Sequence, residues 1–308
     1  MDAQYLLRQY VDTGIAIPEY QFNKLNNNLR KTYIRKREIA VNNNLDGVVD
    51  YEVPYFSEET KLLISIYKDP SKIKIIDNPS EKQQLAAVQK DHQSIQYIEN
   101  PTEKVQISVV KKKWSSIRYI KNPSEKTQLY VTSINPRAIQ DIENPTEKTQ
   151  LHAIHQDQTP AFSKIIKYIK NPTELVKFQA VKKWAEALQY IENPSEELQL
   201  IAVKNDPDTI RFIENKSEQV KITAVIENGG AIQHINNPSE ELKLIAVKQY
   251  GFNIKYIENP SEELQLIAVK QYIDAIDYIR NPTEKVKEYV KKQGELNENL
   301  NRIKQLLL

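Results

Sequence analysis

The sequence has no cysteine, and only six glycines and one methionine among its 308 residues. Without cysteine, disulfides and thiolate metal sites are excluded; a reducing cytoplasm is compatible. So few glycines argue against phosphate-cradling loops and dinucleotide folds, which need glycine where backbone approaches a ligand. No apolar run reaches the roughly 18 residues of a membrane-spanning helix, so none is expected. The opening stretch, MDAQYLLRQYVDTG, has an acid at its second position and no long apolar core, and does not read as a signal peptide. No G-x-S-x-G, H-E-x-x-H or P-loop pattern occurs. A net charge of +2 argues against a global polyanion binder and leaves room for a local basic patch. These absences predict a non-enzymatic cytoplasmic protein with no cofactor, metal or membrane partner.

What the chain does have is one phrase, said many times. Asn-Pro-Ser/Thr-Glu begins at Asn78, Asn100, Asn122, Asn144, Asn171, Asn193, Asn215, Asn237, Asn259 and Asn281, with Lys216 replacing the proline of one copy. The spacing is 22 residues, except for 27 between Asn144 and Asn171. A degenerate earlier copy begins near Phe56. A fixed period of this size is the signature of a stacked-repeat architecture.

The phrase reads as a helix start. Asn259 as N-cap, Pro260 at the first helical position and Glu262 three residues on would make a capping box; Ser261 as the cap is the alternative. The recurring glutamates, Glu81 to Glu284, therefore read as capping groups rather than a catalytic series. Leu264, Leu266, Ile267, Ala268 and Val269 cover most of the helix circumference, which predicts a helix sandwiched between neighbours. The seventh position is Gln or Lys (Gln84, Gln106, Lys177, Gln265) and predicts a ladder to adjacent-repeat backbone, or a side chain snorkelling past the core. The tenth is often alanine, as at Ala87, Ala202 and Ala268, allowing close helix approach. The second half, IDAIDYIR, spaces Ile276 and Ile279 by three and predicts a short or 3₁₀ helix. No segment alternates with period two, so no sheet is expected. The fold class predicted is an all-α solenoid of ten to eleven helix–turn–short-helix repeats over residues 56–292. Residues 1–55 form a helical N-terminal cap and linker, and 293–308 a capping helix after Gly294, with Leu306, Leu307 and Leu308 tucked against the stack or serving self-association.

EELQLIAV resembles the HEAT-repeat pattern, although 22 residues is short for one, and the unit also resembles the leucine-rich repeat variant. The whole NPSEE…AVK…YI phrase is most similar to short helical repeats of uncharacterised phage, giant-virus and bacterial proteins. The resemblance implies a binding scaffold; a phage setting would imply a host protein, such as a defence component, as partner in the host cytoplasm. HEAT-like DNA-repair proteins imply the alternative, a solenoid cradling nucleic acid.

Specificity is expected where the repetition fails. Bases beside aromatics follow the long helix: Lys111, Lys112, Lys113 and Trp114; Lys182, Lys183 and Trp184; Tyr250 and Phe252; Lys270 and Tyr272. Stacking puts equivalent positions on one edge, which predicts a stripe able to anchor a protein or to stack bases and neutralise phosphates. The alternative is that each aromatic merely covers a neighbouring turn. The extra five residues around HQDQTPAFS mark a bend or projecting loop, or simple drift. His152, His155 and Asp157 lie close together, but zinc takes three or four ligands and no further His or Cys is nearby, so no metal site is expected. RKTYIRKR groups Arg30, Lys31, Arg35, Lys36 and Arg37 as a nucleic-acid or localisation-receptor contact, or as a solvated helix face.

Overall fold

Each long helix starts on the serine or threonine of the phrase. In the computed structural model, which describes residues 15–156 and 165–306, Ser261 Oγ accepts the Leu264 N–H at 3.4 Å and the helix Glu262–Gln271 follows. Ser80, Thr102, Ser124, Thr173, Ser195, Ser217 and Ser239 do the same. The asparagine-as-cap expectation is corrected. Asn78, Asn171, Asn193, Asn237 and Asn259 instead take φ near +50°, the left-handed region that asparagine tolerates better than most residues. They turn the chain out of one 3₁₀ segment, and the serine caps the next helix. The recurring glutamate is thus the first helical residue, too early to close a capping box; Gln83 closes one with Ser80.

The freed glutamate ties repeats together. Where the seventh position is Gln, the carboxylate reaches the next repeat: Glu81–Lys104 at 2.9 Å, Glu103–Lys126 at 3.0 Å, Glu125–Lys148 at 2.9 Å and Glu262–Lys285 at 3.2 Å. Where it is Lys, that lysine turns back on its own helix: Lys177–Glu174 at 2.6 Å, Lys221–Glu218 at 3.2 Å and Lys243–Glu240 at 2.6 Å. Among these repeats the two lysines do not occur together at one glutamate. In the repeats following Lys177, Lys221 and Lys243, the residue in the register of Lys104 is Glu197, Glu241 and Glu263.

The glutamine is the ladder that its position suggests. Gln106 Nε2 donates to Pro101 O at 3.0 Å, and its Oε1 accepts the Ser124 N–H of the next repeat at 2.8 Å. Gln84, Gln128 and Gln265 repeat the pattern. Each satisfies backbone groups that the turn leaves unpaired. After each helix comes a six-residue 3₁₀ segment such as Gly251–Tyr256 or Ile273–Tyr278. Three residues per turn put Ile254 and Ile257 on one face, and both are buried. Ala246, Ala268 and their equivalents are fully buried between helices.

The chain forms two compact bodies, residues 1–156 and 157–308. In the first, Glu19–Phe22 and Asn27–Asn43 precede the helices Glu58–Lys68, Glu81–Lys90, Glu103–Lys112, Glu125–Ile134 and Glu147–Gln156. In the second, Ile165–Tyr168 precedes Glu174–Lys183, Glu196–Asn205, Glu218–Glu227, Glu240–Gln249, Glu262–Gln271 and Glu284–Leu306. Consecutive long helices within a body pack on each other and on the 3₁₀ segment between them. No strand occurs among the described residues. This is the all-α repeat solenoid that the period predicts.

The ends differ from expectation in two ways. The stretch between cap and repeats is wound into 3₁₀ turns, Leu45–Gly47 and Asp50–Tyr55, and delivers Glu52 into the cap. There the fully buried Glu52 binds Arg37 at 3.0 Å and accepts the Tyr33 hydroxyl. Burial, then this bond, raises Tyr33 above the usual phenol range. Arg37 is therefore not a surface base. Arg30 is also engaged, 5.1 Å over the Phe22 ring and donating to Asn23 O at 3.2 Å. The basic run is left with Lys31, Arg35 and Lys36 exposed. At the other end Glu284–Leu306 is one 23-residue helix running through Gly294, not a repeat helix followed by a separate one. The expected tucking of Leu306, Leu307 and Leu308 concerns side chains outside the described ones, as does the inserted segment 157–164.

Candidate functional site

The residue just after each long helix decides how the 3₁₀ segment begins. Asp91, Asn135, Asp206 and Asn228 accept the N–H two residues on, at 2.9, 3.1, 3.1 and 2.9 Å. Lys113, Trp184, Tyr250 and Tyr272 hold the same register without such a bond. Each forgoes a cap of about 1 kcal/mol, by analogy with helix caps. A side chain that gives up local stability in a repeated position needs another reason to be there.

For the first group of site residues the reason is partly structural. Lys112 donates its ammonium to Gln89 O, at the C-terminal end of the preceding helix, where a cation is favoured. Lys111 lies 5.9 Å over the Tyr130 ring, and Trp114 is half-buried against the core. Trp114 opens the 3₁₀ segment Trp114–Tyr119, one register later than Trp184. Lys113 is exposed. In the second body, Lys182 lies 6.0 Å over Phe178 and Lys183 6.0 Å over Trp184. The half-buried Trp184 indole N–H has no partner among the described residues. Asp206 and Asn228 fill its register in the next two repeats, so the aromatics do not run as an unbroken stripe.

Tyr250, Phe252 and Tyr272 do come together, and Tyr278 joins them. Phe252 stacks on Tyr272 at 4.8 Å and 25°, and meets Tyr278 edge-on at 5.7 Å and 90°. Tyr250 lies 5.4 Å from Phe252 and 5.3 Å from Tyr272. Ring pairs of this geometry contribute about 0.5–1.5 kcal/mol each beyond area burial. Yet Tyr250, Tyr272 and Tyr278 keep 47%, 42% and 53% of their surface exposed.

A second glutamine ladder holds this cluster. Gln271 Nε2 donates to Val247 O at 3.0 Å and Lys248 O at 3.1 Å, and its Oε1 accepts the Gly251 N–H at 2.9 Å. Gln249 does the same one repeat earlier, with Ile226 O at 2.8 Å and the Gly229 N–H. Gln271 thus fixes the backbone on both sides of Tyr250, and Gln249 does so around Asn228, which holds the same register one repeat earlier. Glycine is required at 251: a Cβ there would stand 2.9 Å from Ala268 O and 3.2 Å from the Tyr272 ring. The buried Asn253 donates to Ala246 O at 2.9 Å and pins the turn below Phe252.

Lysines border the rings. Lys182, Lys204, Lys248, Lys270 and Lys292 occupy one register in the last turn of their helices or its equivalent, and all are exposed. Lys204, Lys248, Lys270 and Lys292 make no ion pair with any described residue. The helix starts carry the opposite sign, with Glu196, Glu197, Glu240, Glu241, Glu262 and Glu263. Lys285 holds the Glu262 carboxyl below its ordinary value by hydrogen bonding. The repeat is thus polarised, acidic at helix starts and basic with aromatics at helix ends.

Tyr278, Gln249, Gln271 and Gly251 are absent from the residues the sequence singles out. Tyr278 belongs to the Tyr-Ile pair found in most repeats, which hides its part in the cluster. The departures Gln-Tyr at 249–250 and 271–272, with Gly251 between, are the signal that would find the others.

His152 Nδ1 lies 3.0 Å from Thr132 Oγ1, and burial lowers its pKa. Asp157 lies outside the described residues. No group of three metal-ligating side chains occurs among the described ones. No helix there is long and apolar enough to cross a membrane. Comparison with protein-family models, curated proteins and solved structures gave no match.

Proposed function

We propose that this chain is a non-enzymatic scaffold of the cytoplasm that binds another protein through the edge where its helices end. Tyr250, Phe252, Tyr272 and Tyr278 form the anchor, and Lys248 and Lys270 flank it. One observation carries the reading: successive repeats give up a local cap to hold large aromatics at a half-exposed position, with the backbone around Tyr250 clamped by Gln271. Rigid, partly exposed aromatics are common hot spots of protein interfaces. They present contact area at little cost in conformational entropy.

The test is affinity capture from native cells with three baits: the unaltered chain, Tyr250→Ala with Tyr272→Ala, and Glu241→Gln with Glu263→Gln on the opposite edge. The reading expects a protein held by the first and third baits and lost from the second. A protein set retained equally by all three, or retention of nucleic acid alone, would overturn it.

A further inference from the structure

Resting on that protein-docking reading, we infer that the partner contributes an extended acidic segment carrying an apolar anchor residue. The anchor seats on the cluster of Tyr250, Phe252, Tyr272 and Tyr278, and the acids meet Lys248 and Lys270.

Charge complementarity gives the sign. Lys204, Lys248, Lys270 and Lys292 share one register and are all exposed. None is paired with a described carboxylate, whereas Lys104, Lys126, Lys148, Lys177, Lys221, Lys243 and Lys285 are. The exposed acids close by in the repeat pattern are Glu227, in the place of Gln249, Asp274, in the place of Phe252, and Asp277, directly before Tyr278. In the intervening repeat the lysine is replaced by Ile226, itself 54% exposed, so apolar surface continues beside the rings. An apolar centre with a cationic border fits an acidic peptide with a hydrophobic anchor.

Spacing gives the pattern. Packed helices lie about 8–10 Å apart, so lysines one repeat apart are separated by about that distance. An extended chain rises about 3.3 Å per residue. It therefore crosses one repeat in about three residues, which sets the motif as acid-x-x-acid with the anchor between or beside the acids.

Ring geometry favours a peptide over single-stranded nucleic acid. Sequence-tolerant nucleic-acid binding relies on ring faces open to bases. Here Phe252 and Tyr272 stack on each other, and Tyr278 and Tyr250 meet them at steep angles. Phe252 and Tyr272 thus cover a face of each other, and the half-exposed cluster suits an aliphatic or aromatic side chain.

The experiment is fluorescence anisotropy on the full chain with four probes. They are a peptide carrying Asp-x-x-Asp beside Leu and Phe, the same peptide with Asp→Asn, one with Asp→Lys, and a single-stranded oligonucleotide. The acidic peptide should bind, and lose about tenfold or more in affinity on Asp→Asn. Lys248→Gln with Lys270→Gln should weaken the acidic peptide about tenfold and leave the Asn peptide unchanged; Tyr250→Ala with Tyr272→Ala should weaken both. Circular dichroism of the lysine variant should match the unaltered chain, since both side chains are exposed. Equal or tighter binding of the Asn or Lys peptide would overturn the acidic segment while leaving protein docking standing. No binding by any peptide would overturn the acidic segment alone, with docking judged by the capture experiment. Binding of the oligonucleotide alone would overturn both.

Discussion

Phe252 lies stacked on Tyr272, its partner in the following repeat, at 4.8 Å and 25°. The contact joins two repeats at the edge where both tyrosine registers lack a cap. Phe252→Ala removes the central ring of the cluster. Chemical denaturation should show a loss of about 1–3 kcal/mol, because the side chain is only half-buried and the ring pairs are modest. Partner capture should fall far more than that loss of fold stability explains. A parallel loss of both would make the cluster a packing feature.

The glutamine ladder predicts a larger effect on stability. Gln106→Leu keeps the bulk but leaves Pro101 O and the Ser124 N–H without their partner. An unsatisfied buried group costs about 1–3 kcal/mol, so a destabilisation of about 2–4 kcal/mol is expected in urea. A change under about 0.5 kcal/mol would show that water replaces the ladder at no cost.

The turn and the cap separate cleanly by substitution. Ser261→Ala should cost about 1 kcal/mol through the lost cap. Asn259 sits at φ 51°, so Asn259→Gly should be near neutral and Asn259→Ala should cost about 1 kcal/mol. If asparagine were the cap, Asn259→Ala would lose stability through the cap and Ser261→Ala would not.

Acid should loosen the ties between repeats. Hydrogen bonds from Lys104, Lys126, Lys148 and Lys285 hold Glu81, Glu103, Glu125 and Glu262 below their ordinary values. A carboxyl with a lowered folded value binds fewer protons when folded than when unfolded. Its contribution is complete above the unfolded value, about 4.3, and is lost as pH falls through the folded one. The urea midpoint should therefore drop between about pH 5 and pH 3. Lys104→Gln, Lys126→Gln and Lys148→Gln together should flatten that drop without abolishing folding, because these pairs are exposed and each is weak. An unchanged slope would remove the carboxylates from the account.

Repetition made the frame readable: helix length, 3₁₀ segment and glutamine ladder follow from comparing the chain with itself. Single positions were less readable where two neighbours can do one job. Asn259 and Ser261 both suit a cap, and only the backbone angle assigns the turn to one and the cap to the other. Arg37 looked like part of a surface run because its partner, Glu52, is brought to it by 3₁₀ turns that the sequence reads as a loop. Lys112 looked free because its acceptor is a backbone carbonyl in another repeat. The edge itself was legible as a departure from the phrase. Which aromatics would meet was not, since Trp114 and Trp184 differ by one register and Tyr278 is a letter of the frame.

The central claim is that a protein touches the helix-end edge. Photo-crosslinking tests it most directly, with a benzophenone amino acid placed singly at positions 250, 278, 241 and 263 in the native cell. The account predicts a shared protein adduct from 250 and 278, and none from 241 and 263. Adducts from 241 and 263 alone, or equally from all four, would contradict it.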